Sequence, residues 1–309
     1  MKQKITPFLW FDSQGEEAAK FYVSIFQKSR VGNVTRYTKT GFDVHHMAEG
    51  SVMTAEFEIE GIRFVALNGG PVFKFNPSIS FLVACNQKEE VDIIWSKLSQ
   101  GGGPPIMELG SYPMSERYGW LQDKYGLSWQ VMFVKDRVIK QKIVTTLMFS
   151  EGQSGKAEEA VNLYTRIFKN SAIDHIMGYG KGEDPDKEGT VRHSSFTLEG
   201  QEFAAMDSAR VHNFTFNEAI SFVVDCKTQK EIDHYWGSLT ADGGQEGVCG
   251  WLKDKFGVSW QVVPAVLNEM LRDGDPEKVA RVTQAFLRMK KFDVNELRKA
   301  YRGTLTKVT

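Results

Sequence analysis

The chain of 309 residues is 41% hydrophobic and 25% charged, and its 38 basic and 39 acidic side chains nearly cancel. This composition is typical of a globular protein large enough for two ordinary domains. The balanced charge disfavours a nucleic-acid partner, because surfaces that bind nucleic acid usually carry a clustered positive excess.

The sequence predicts neither a targeting segment nor a membrane span. The apolar stretch over residues 5–11 contains Pro7 and is soon followed by acidic residues, which does not fit a signal peptide. No run approaches the roughly 18 apolar residues that a spanning helix needs. The three cysteines form no CxxC pair and are too scattered for a disulfide framework, so we expect a cytoplasmic protein.

The first predicted elements are a strand over residues 5–11 and an amphipathic helix after it. The apolar residues of the helix recur at i, i+3, i+4, i+7 and i+8: Ala18, Phe21, Tyr22, Ile25 and Phe26. A strand with alternating faces then runs into the turn glycine Gly61. Further along, residues 79–81 predict a strand, residues 91–98 a second helix, and residues 119–131 two strands around an Asp-Lys-Tyr-Gly turn.

The same elements then recur in the same order. The matching pairs of segments are 16–26 with 158–168, 57–61 with 196–200, 79–81 with 220–222, and 119–131 with 250–262. Each copy therefore predicts β-α-β-β-β-α-β-β-β, or two βαβββ modules, which is an α+β fold. The loop that ends at Tyr118 is ten residues longer than its counterpart in the second copy. Because the longer loop contains three prolines, we expect a surface insertion there.

A helical segment follows the second copy. Pro264 opens a short helix, Asp275-Pro276 starts a longer one, and residues 293–296 offer a capping box for a last helix through Tyr301. We therefore predict three parts: a first copy over residues 1–138, a second over 139–264, and a helical tail over 265–309.

Several motifs point to one family. They include Trp10-Phe11 before the first helix, the segment 66–71 (Ala-Leu-Asn-Gly-Gly-Pro), and the Gly-Trp-Leu…Asp-Lys…Gly…Ser-Trp-Gln-Val ends of both copies. With these residues the chain resembles the PhnB-like, or 3-demethylubiquinone-9 3-methyltransferase, family of the vicinal-oxygen-chelate (glyoxalase-like) superfamily. The resemblance covers residues 4–134 and 143–263. It implies tandem glyoxalase-like domains, each of two βαβββ modules whose antiparallel-rich sheets curl around a cavity.

Many members of this superfamily bind a divalent metal in the cavity through His, Glu or Gln. In this sequence Gln130 and Gln261 stand where the last strand of a module commonly supplies a Glu ligand. A neutral amide is a poor ligand without carboxylates or imidazoles beside it. The first strands add none, with Thr6, Phe8 and Trp10 in one copy and Thr145, Leu147 and Phe149 in the other. We therefore predict no metal site and no cofactor, with a bound divalent metal as the alternative.

Aromatic and polar residues beside the predicted cavity strands suggest a ligand pocket. The candidate residues are Trp10, Asn68, Phe75, Trp120 and Gln130 in the first copy, and Asp207, Phe216, Trp251 and Gln261 in the second. Neighbouring strand residues face opposite ways, so placing Gln130 in the pocket turns Trp129 away from it. We expect the first copy to keep the pocket, because Asp207-Ser208-Ala209-Arg210 replaces its Asn-Gly-Gly-Pro segment.

The other reactive residue types suggest no chemistry. His45 and His46 are adjacent and point to opposite faces if they lie on a strand, so we expect a solvated loop pair. The other four histidines, His175, His193, His212 and His234, are isolated in the sequence. Cys85 and Cys226 fall at equivalent strand ends and are expected to be small core residues.

The leading hypothesis is a protein that binds a small organic molecule without a catalytic metal. One alternative is a metal-dependent lyase, isomerase or dioxygenase of the superfamily, and another is a ligand-free structural or regulatory module. Methyl transfer, which the family description suggests, is disfavoured by the single glycine in the turn at residues 12–15 and by the module order. Whether the chain is an enzyme stays open. We expect the two copies to pair within the chain, and self-association into a homodimer is a further alternative.

Overall fold

A computed structural model describes residues 3–304. Residues 1–2 of the predicted first copy and residues 305–309 of the predicted tail lie outside the described part. The first repeat contains β1 (Ile5–Phe11), α1 (Gly15–Ile25), β2 (Ser29–Arg36), α2 (Phe42–His45), β3 (Val52–Ile59), β4 (Ile62–Asn68), β5 (Ile79–Cys85), α3 (Lys88–Leu98), β6 (Met107–Tyr112), β7 (Ser115–Gln122) and β8 (Ser128–Phe133).

The second repeat has the same order of elements, apart from α2, which confirms the predicted module pattern. It contains β9 (Ile143–Phe149), α4 (Ala157–Ile167), β10 (Ala172–Gly178), β11 (Val191–Leu198), β12 (Gln201–Asp207), β13 (Ile220–Cys226), α5 (Gln229–Thr240), β14 (Gln245–Glu246), β15 (Trp251–Lys253) and β16 (Ser259–Pro264). The tail forms α6 (Ala265–Leu271), α7 (Pro276–Phe286) and α8 (Val294–Arg302). None of the helices within residues 3–304 has the length and apolarity to cross a membrane.

The strands form two mixed sheets, and each sheet draws on both repeats. Sheet A has the order β14-β15-β16-β13-β1-β4-β3-β2, and sheet B the order β10-β11-β12-β9-β5-β8-β7-β6. The repeats join where β1 pairs antiparallel with β13 and β5 with β9. A repeat is thus a unit of sequence, whereas each sheet combines the first module of one repeat with the second module of the other.

One face of each sheet packs into a single shared core. Helices α1 and α5 cover this face of sheet A, and α3 and α4 cover that of sheet B. The largest fully buried side chains lie here, among them Tyr22, Phe57, Phe81, Trp129 and Trp260. Because strand residues alternate, the residues between these core positions point to the opposite face. We call that opposite face the distal face of each sheet.

A buried carboxylate organises the last turn of each repeat. Asp123 Oδ2 accepts hydrogen bonds from Tyr22 Oη at 2.8 Å and Trp129 Nε1 at 2.9 Å, and its Oδ1 accepts from two backbone N–H groups of the turn. Asp254 repeats the arrangement with Tyr164 Oη at 2.6 Å and Trp260 Nε1 at 2.8 Å. Four donors thus surround each carboxylate, which holds the tryptophan on the core face of its sheet.

The tail contacts residues at both ends of sheet A. On the distal face Arg272 forms an ion pair of 2.8 Å with Glu56 of β3. The backbone N–H groups of Cys249 and Gly250 donate to the carbonyls of Met289 and Lys290 at 2.7 and 2.8 Å. The tail therefore connects opposite ends of the sheet. Its helices begin where the sequence predicts, with Asp275 and Asp293 accepting hydrogen bonds from backbone N–H groups of α7 and α8.

The longer loop of the first repeat contains more structure than predicted. The expected surface insertion includes the edge strand β6, which pairs with β7 through two register shifts. Its counterpart β14 has only two residues. The additional length therefore lengthens the edge strand, from two residues in sheet A to six in sheet B.

Candidate ligand-binding site

Strand register gathers residues of both repeats on the distal face of sheet A. Trp251 is opposite Gln261, Gln261 is beside Val223, and Val223 is opposite Thr6. One row further along, Phe8 is opposite Ser221, and Ser221 is beside Ser259. Trp10 follows on the same face of β1. Trp10 of the first repeat thus shares a surface with Trp251 and Gln261 of the second.

The aromatic side chains of this surface meet edge to face. The ring of Trp251 lies 6.1 Å from Phe8 and 6.2 Å from Trp10, centroid to centroid, and Phe73 lies 5.0 Å from Trp10. All four residues remain partly exposed. Trp10 Nε1 donates to the carbonyl of Gly70 at 2.8 Å, which fixes one ring of the group. These half-buried rings form an aromatic surface that a flat ligand can contact.

The corresponding polar groups of sheet B satisfy one another. Tyr118 Oη donates to Gln130 Oε1 at 2.7 Å, and Gln130 Nε2 donates to Ser80 Oγ at 2.7 Å. Trp120 Nε1 donates to Ser128 Oγ at 2.8 Å. All five residues are buried. The distal face of sheet B is thus closed by its own side chains, with four methionines, Leu82, Tyr112 and Phe214 around them.

On sheet A the equivalent polar side chains are only partly hydrogen-bonded. Gln261 Nε2 donates to Ser221 Oγ at 3.0 Å, but Cys249 stands where Tyr118 would supply a hydroxyl to the amide oxygen. Trp251 leans toward Phe8 and Trp10 and does not bond Ser259, so Ser259 Oγ is buried without a partner among residues 3–304. Within the same range, Gln261 Oε1 accepts no hydrogen bond and Trp251 Nε1 donates none.

An arginine marks the end of this surface toward β3. One terminal nitrogen of Arg63 donates to Thr6 Oγ1 at 2.9 Å and to Asp225 Oδ2 at 3.0 Å. Its Nε is buried and has no partner in the described part of the chain. The ion pair neutralises the guanidinium and leaves the buried Nε–H without an acceptor in that part of the chain.

Two of the predicted pocket residues form hydrogen bonds to backbone groups instead. Asn68 Oδ1 accepts from the N–H of Gly15 at 2.7 Å, and its Nδ2 donates to the carbonyl of Val52 at 3.1 Å. Asp207, its counterpart, accepts from three backbone N–H groups at 2.8 to 3.1 Å. Burial raises the pKa of Asp207 and these donors oppose the rise. Both side chains tie the start of a helix to the end of a strand.

The nine predicted pocket residues do not form one pocket. Trp10, Trp251 and Gln261 lie together on sheet A, while Trp120 and Gln130 lie on sheet B. Phe75 and Phe216 pack instead on the core residues Phe11 and Phe149, at centroid distances of 5.1 and 5.0 Å. A pocket on either distal face therefore belongs to no single repeat, contrary to our expectation, because each distal face contains residues of both repeats.

One strand was assigned the wrong face from the sequence. Thr145, Leu147 and Phe149 were expected beside the cavity, but Leu147 and Phe149 are core residues. Thr146 lies opposite Ser80, so Thr146 and Met148 occupy the distal face. A shift of one residue along a strand moves every side chain to the other face, and only the pairing with β5 decides the phase.

The residues at the expected metal positions do not fit a divalent ion. Sheet B brings Ser80, Thr146 and Gln130 to these positions, and sheet A brings Ser221, Phe8 and Gln261. Hydroxyl and amide groups without carboxylate or imidazole partners are weak ligands for such metals. Residues 3–304 contain no group of three or more His, Cys, Asp or Glu that could hold a metal.

Two histidines that are isolated in the sequence are neighbours in the structure. His175 Nε2 lies 3.0 Å from His193 Nδ1, across the pair of strands β10 and β11. Sequence analysis missed this contact, although an aligned β10–β11 hairpin would have placed the two residues on one face. Burial, and then the neighbouring His175, lower the pKa of His193 to about 4.

A surface depression of about 320 Å³ lies apart from both tryptophan surfaces, between Glu151, Lys187 and Arg210. It has no aromatic lining. Glu151 Oε1 already accepts hydrogen bonds from the backbone N–H groups of His212 and Asn213. The depression therefore lacks the aromatic contact surface that the distal face of sheet A offers.

Comparison with known proteins agrees with this architecture. The family model described as 3-demethylubiquinone-9 3-methyltransferase matches residues 3–132 and again residues 141–263. The solved PhnB protein from Bacillus cereus, described as a 3-demethylubiquinone-9 3-methyltransferase, is 41% identical over 43% of this chain and 100% of its own, with a TM-score of 0.39. Protein PA1353 from Pseudomonas aeruginosa is 19% identical over 42% of this chain and 96% of its own, with a TM-score of 0.35.

A longer structure matches both repeats at once. Glyoxalase I from Zea mays is 12% identical over 87% of this chain and 95% of its own, with a TM-score of 0.55, which shows a shared fold. No curated protein matches the chain. Since the family model matches both halves, the chain belongs to the 3-demethylubiquinone-9 3-methyltransferase family and contains two tandem copies of its domain.

Proposed function

We propose that this protein binds a small organic molecule with a flat, hydroxylated ring on the distal face of sheet A. The ring contacts Phe8, Trp10 and Trp251, and its hydroxyl bonds to Gln261. Binding in this proposal requires no metal. The aromatic group supplies apolar contact, and Gln261, Ser259 and Trp251 supply the few polar groups that fix a ligand's orientation.

The observation that carries the proposal is the difference between the two sheets. On sheet B the equivalent Gln, Ser and Trp residues are all hydrogen-bonded, whereas on sheet A Ser259 Oγ, Gln261 Oε1 and Trp251 Nε1 have no partner within residues 3–304. A buried polar group without a partner costs about 1–3 kcal/mol. A ligand that bonds to Ser259 Oγ removes this cost, and Gln261 and Trp251 offer it two further groups. On sheet B the equivalents of these three residues are already paired, although Thr146 Oγ1 is buried there without a partner in the described part of the chain.

The unpaired groups also indicate the ligand's polar chemistry. Gln261 Oε1 is an acceptor and Trp251 Nε1 is a donor. A hydroxyl group matches both, since it can donate to the amide oxygen and accept from the indole. A ring that carries such a group is therefore the chemical class we assign to the site. The family description names a ring compound of the quinone class, but methyl transfer is not part of this proposal.

Two matched probes test the proposal by isothermal titration calorimetry: 2-naphthol, whose hydroxyl stays protonated at neutral pH, and naphthalene, which lacks the hydroxyl. We expect one site that prefers the hydroxylated probe. Gln261→Leu should lower the affinity for the hydroxylated probe by about tenfold or more and leave the affinity for the other probe nearly unchanged. Only the hydroxylated probe loses a hydrogen bond in this variant. Trp251→Phe should weaken both probes.

Sheet B provides the control variants. Gln130→Leu and Trp120→Phe change equivalent residues on a face whose polar groups are already paired, so neither should alter probe affinity. Circular dichroism establishes that each variant is folded. Loss of binding in the sheet B variants alone would move the site to that sheet, and failure of both probes to bind would refute the proposed ligand class.

A further inference from the structure

A cluster of nitrogen and sulfur donors lies on the distal face of sheet B, at its β10 edge. Met177 is directly opposite His193, and His175 is opposite Ser195. Ser194 is opposite Ala205 at the end of the β11–β12 pairing, so the next residues along, His193 and Met206 of β12, both lie on the distal face. Directly opposed residues of antiparallel strands have Cβ atoms about 4.5–5.5 Å apart. His193 is therefore flanked by Met177 and Met206, and we call these residues with His175 the His–Met cluster.

The two imidazoles already have the spacing of ligands to a single ion. His175 Nε2 and His193 Nδ1 are 3.0 Å apart, in a hydrogen bond that a bound ion would replace. Two nitrogens that each lie about 2.0–2.1 Å from one metal are roughly 3.0–3.4 Å apart at bond angles near 95–110°.

An acidic residue orients the exposed ring. Asp174 Oδ2 lies 3.3 Å from His175 Nδ1 and so fixes Nε2 as the nitrogen directed at His193. Ligating histidines commonly donate their other ring N–H to a carboxylate in this way. The His175 side chain is 45% exposed, so an ion can reach the cluster from solvent.

We propose that His175, Met177, His193 and Met206 bind one Cu(I) ion. Thioether sulfur is a soft ligand that selects monovalent copper, and imidazole binds copper as well. The cluster has no carboxylate opposite the imidazoles, which disfavours a hard divalent ion. In the first repeat the positions of His193 and Met206 are occupied by Thr54 and Leu67, so the site exists on sheet B alone and is independent of the small-molecule surface on sheet A.

Anaerobic competition with bicinchoninate, using the full chain and ascorbate-reduced copper, tests the assignment. We expect one Cu(I) per chain to be withdrawn from the competitor. His193→Gln should weaken binding by about 100-fold and Met206→Leu by about tenfold, since each removes one ligand. Met206→Leu nearly conserves volume, so that variant should fold normally.

Two further variants separate the cluster from other sulfur groups. Met132→Leu changes a methionine on the same distal face but on strand β8, and should leave Cu(I) affinity unchanged. Cys249→Ser removes a partly buried thiol that could bind copper by itself, and should also change nothing. The assignment is overturned if no Cu(I) leaves the competitor, if Cys249→Ser abolishes binding, or if Met206→Leu binds as tightly as the parent chain.

Discussion

Asp254 illustrates how surroundings decide the behaviour of one side chain. The carboxyl is fully buried and accepts hydrogen bonds from two side chains and two backbone N–H groups. Burial raises its pKa from the ordinary 3.8 to about 6, although the donors lower it. The native state therefore binds this proton more tightly than the unfolded chain does. The resulting stabilisation is complete below about pH 3.8 and is lost as the pH rises through about 6.

Asp254→Asn should reduce the pH dependence of stability, because an amide does not titrate in this range. We expect the fall in unfolding free energy between pH 4 and pH 7 to be smaller by about 2–3 kcal/mol than in the parent chain. Urea unfolding at both pH values measures the difference. Asp12→Asn, at an exposed position, is the control. An unchanged pH dependence in Asp254→Asn would show that the carboxylate keeps its charge on folding.

Other residue roles were accessible only in part from the sequence. Alternation correctly separates Gln130 from Trp129, since neighbours on a strand always point to opposite faces. The same kind of pattern could not show that Asn68 and Asp207 bond to backbone. A polar residue at the end of a strand serves a ligand or a helix terminus equally well, and the choice depends on where unpaired N–H groups lie in space.

At the scale of elements, the two repeats use different residues to fill the space beside the equivalent glycines Gly119 and Gly250. A side chain at Gly119 would meet the ring of Trp95 at 2.4 Å. At the equivalent Gly250 the obstacle is Phe292 of the tail, also at 2.4 Å, while Trp236 bonds to Glu246 instead. The tail thus supplies a core residue to the second repeat as well as linking the ends of sheet A.

Phe292→Ala should destabilise the protein by about 3–5 kcal/mol, the usual cost of truncating a fully buried phenylalanine. Phe292 is 2% exposed, whereas Phe42 is 50% exposed, so Phe42→Ala is the matched control with little expected effect. Urea unfolding at constant pH gives both values. Equal, small effects would mean that the tail is not part of the cooperative core.

The secondary structure was largely predictable, because helix and strand periodicities are read within a few residues. The exceptions have identifiable causes. Strand β6 contains Gly110 and two register shifts, so it lacks a regular alternation. The face of β9 depends on its pairing with β5, which belongs to the other repeat.

At the scale of the molecule, each repeat depends on the other to complete its sheets. Strands β1 and β5 of the first repeat pair with β13 and β9 of the second. Without the second repeat both strands lose an antiparallel neighbour and expose unpaired backbone groups. Such edges readily pair with another chain.

A fragment of residues 1–138 should therefore self-associate. Since β5 is the counterpart of β13, β1 of one fragment can pair with β5 of a second, which rebuilds both junctions in a homodimer. Light scattering after size-exclusion chromatography, over a range of concentrations, measures the mass. A folded, monomeric fragment at all concentrations would contradict this prediction and show that a repeat can close on itself.

The amino-acid sequence by itself determined the duplication, the order of modules, the helical tail and the family, since all of these follow from local patterns and their recurrence. Only the tertiary structure decided which modules share a sheet. That pairing brings Trp10 to Trp251 and places His175 beside His193; it also leaves Gln261 Oε1 and Ser259 Oγ without a partner within residues 3–304. These contacts join residues far apart in the chain, and no local periodicity records which of two similar strand edges meets which. The candidate sites therefore arise from the pairing of the repeats, although every residue in them is visible in the sequence.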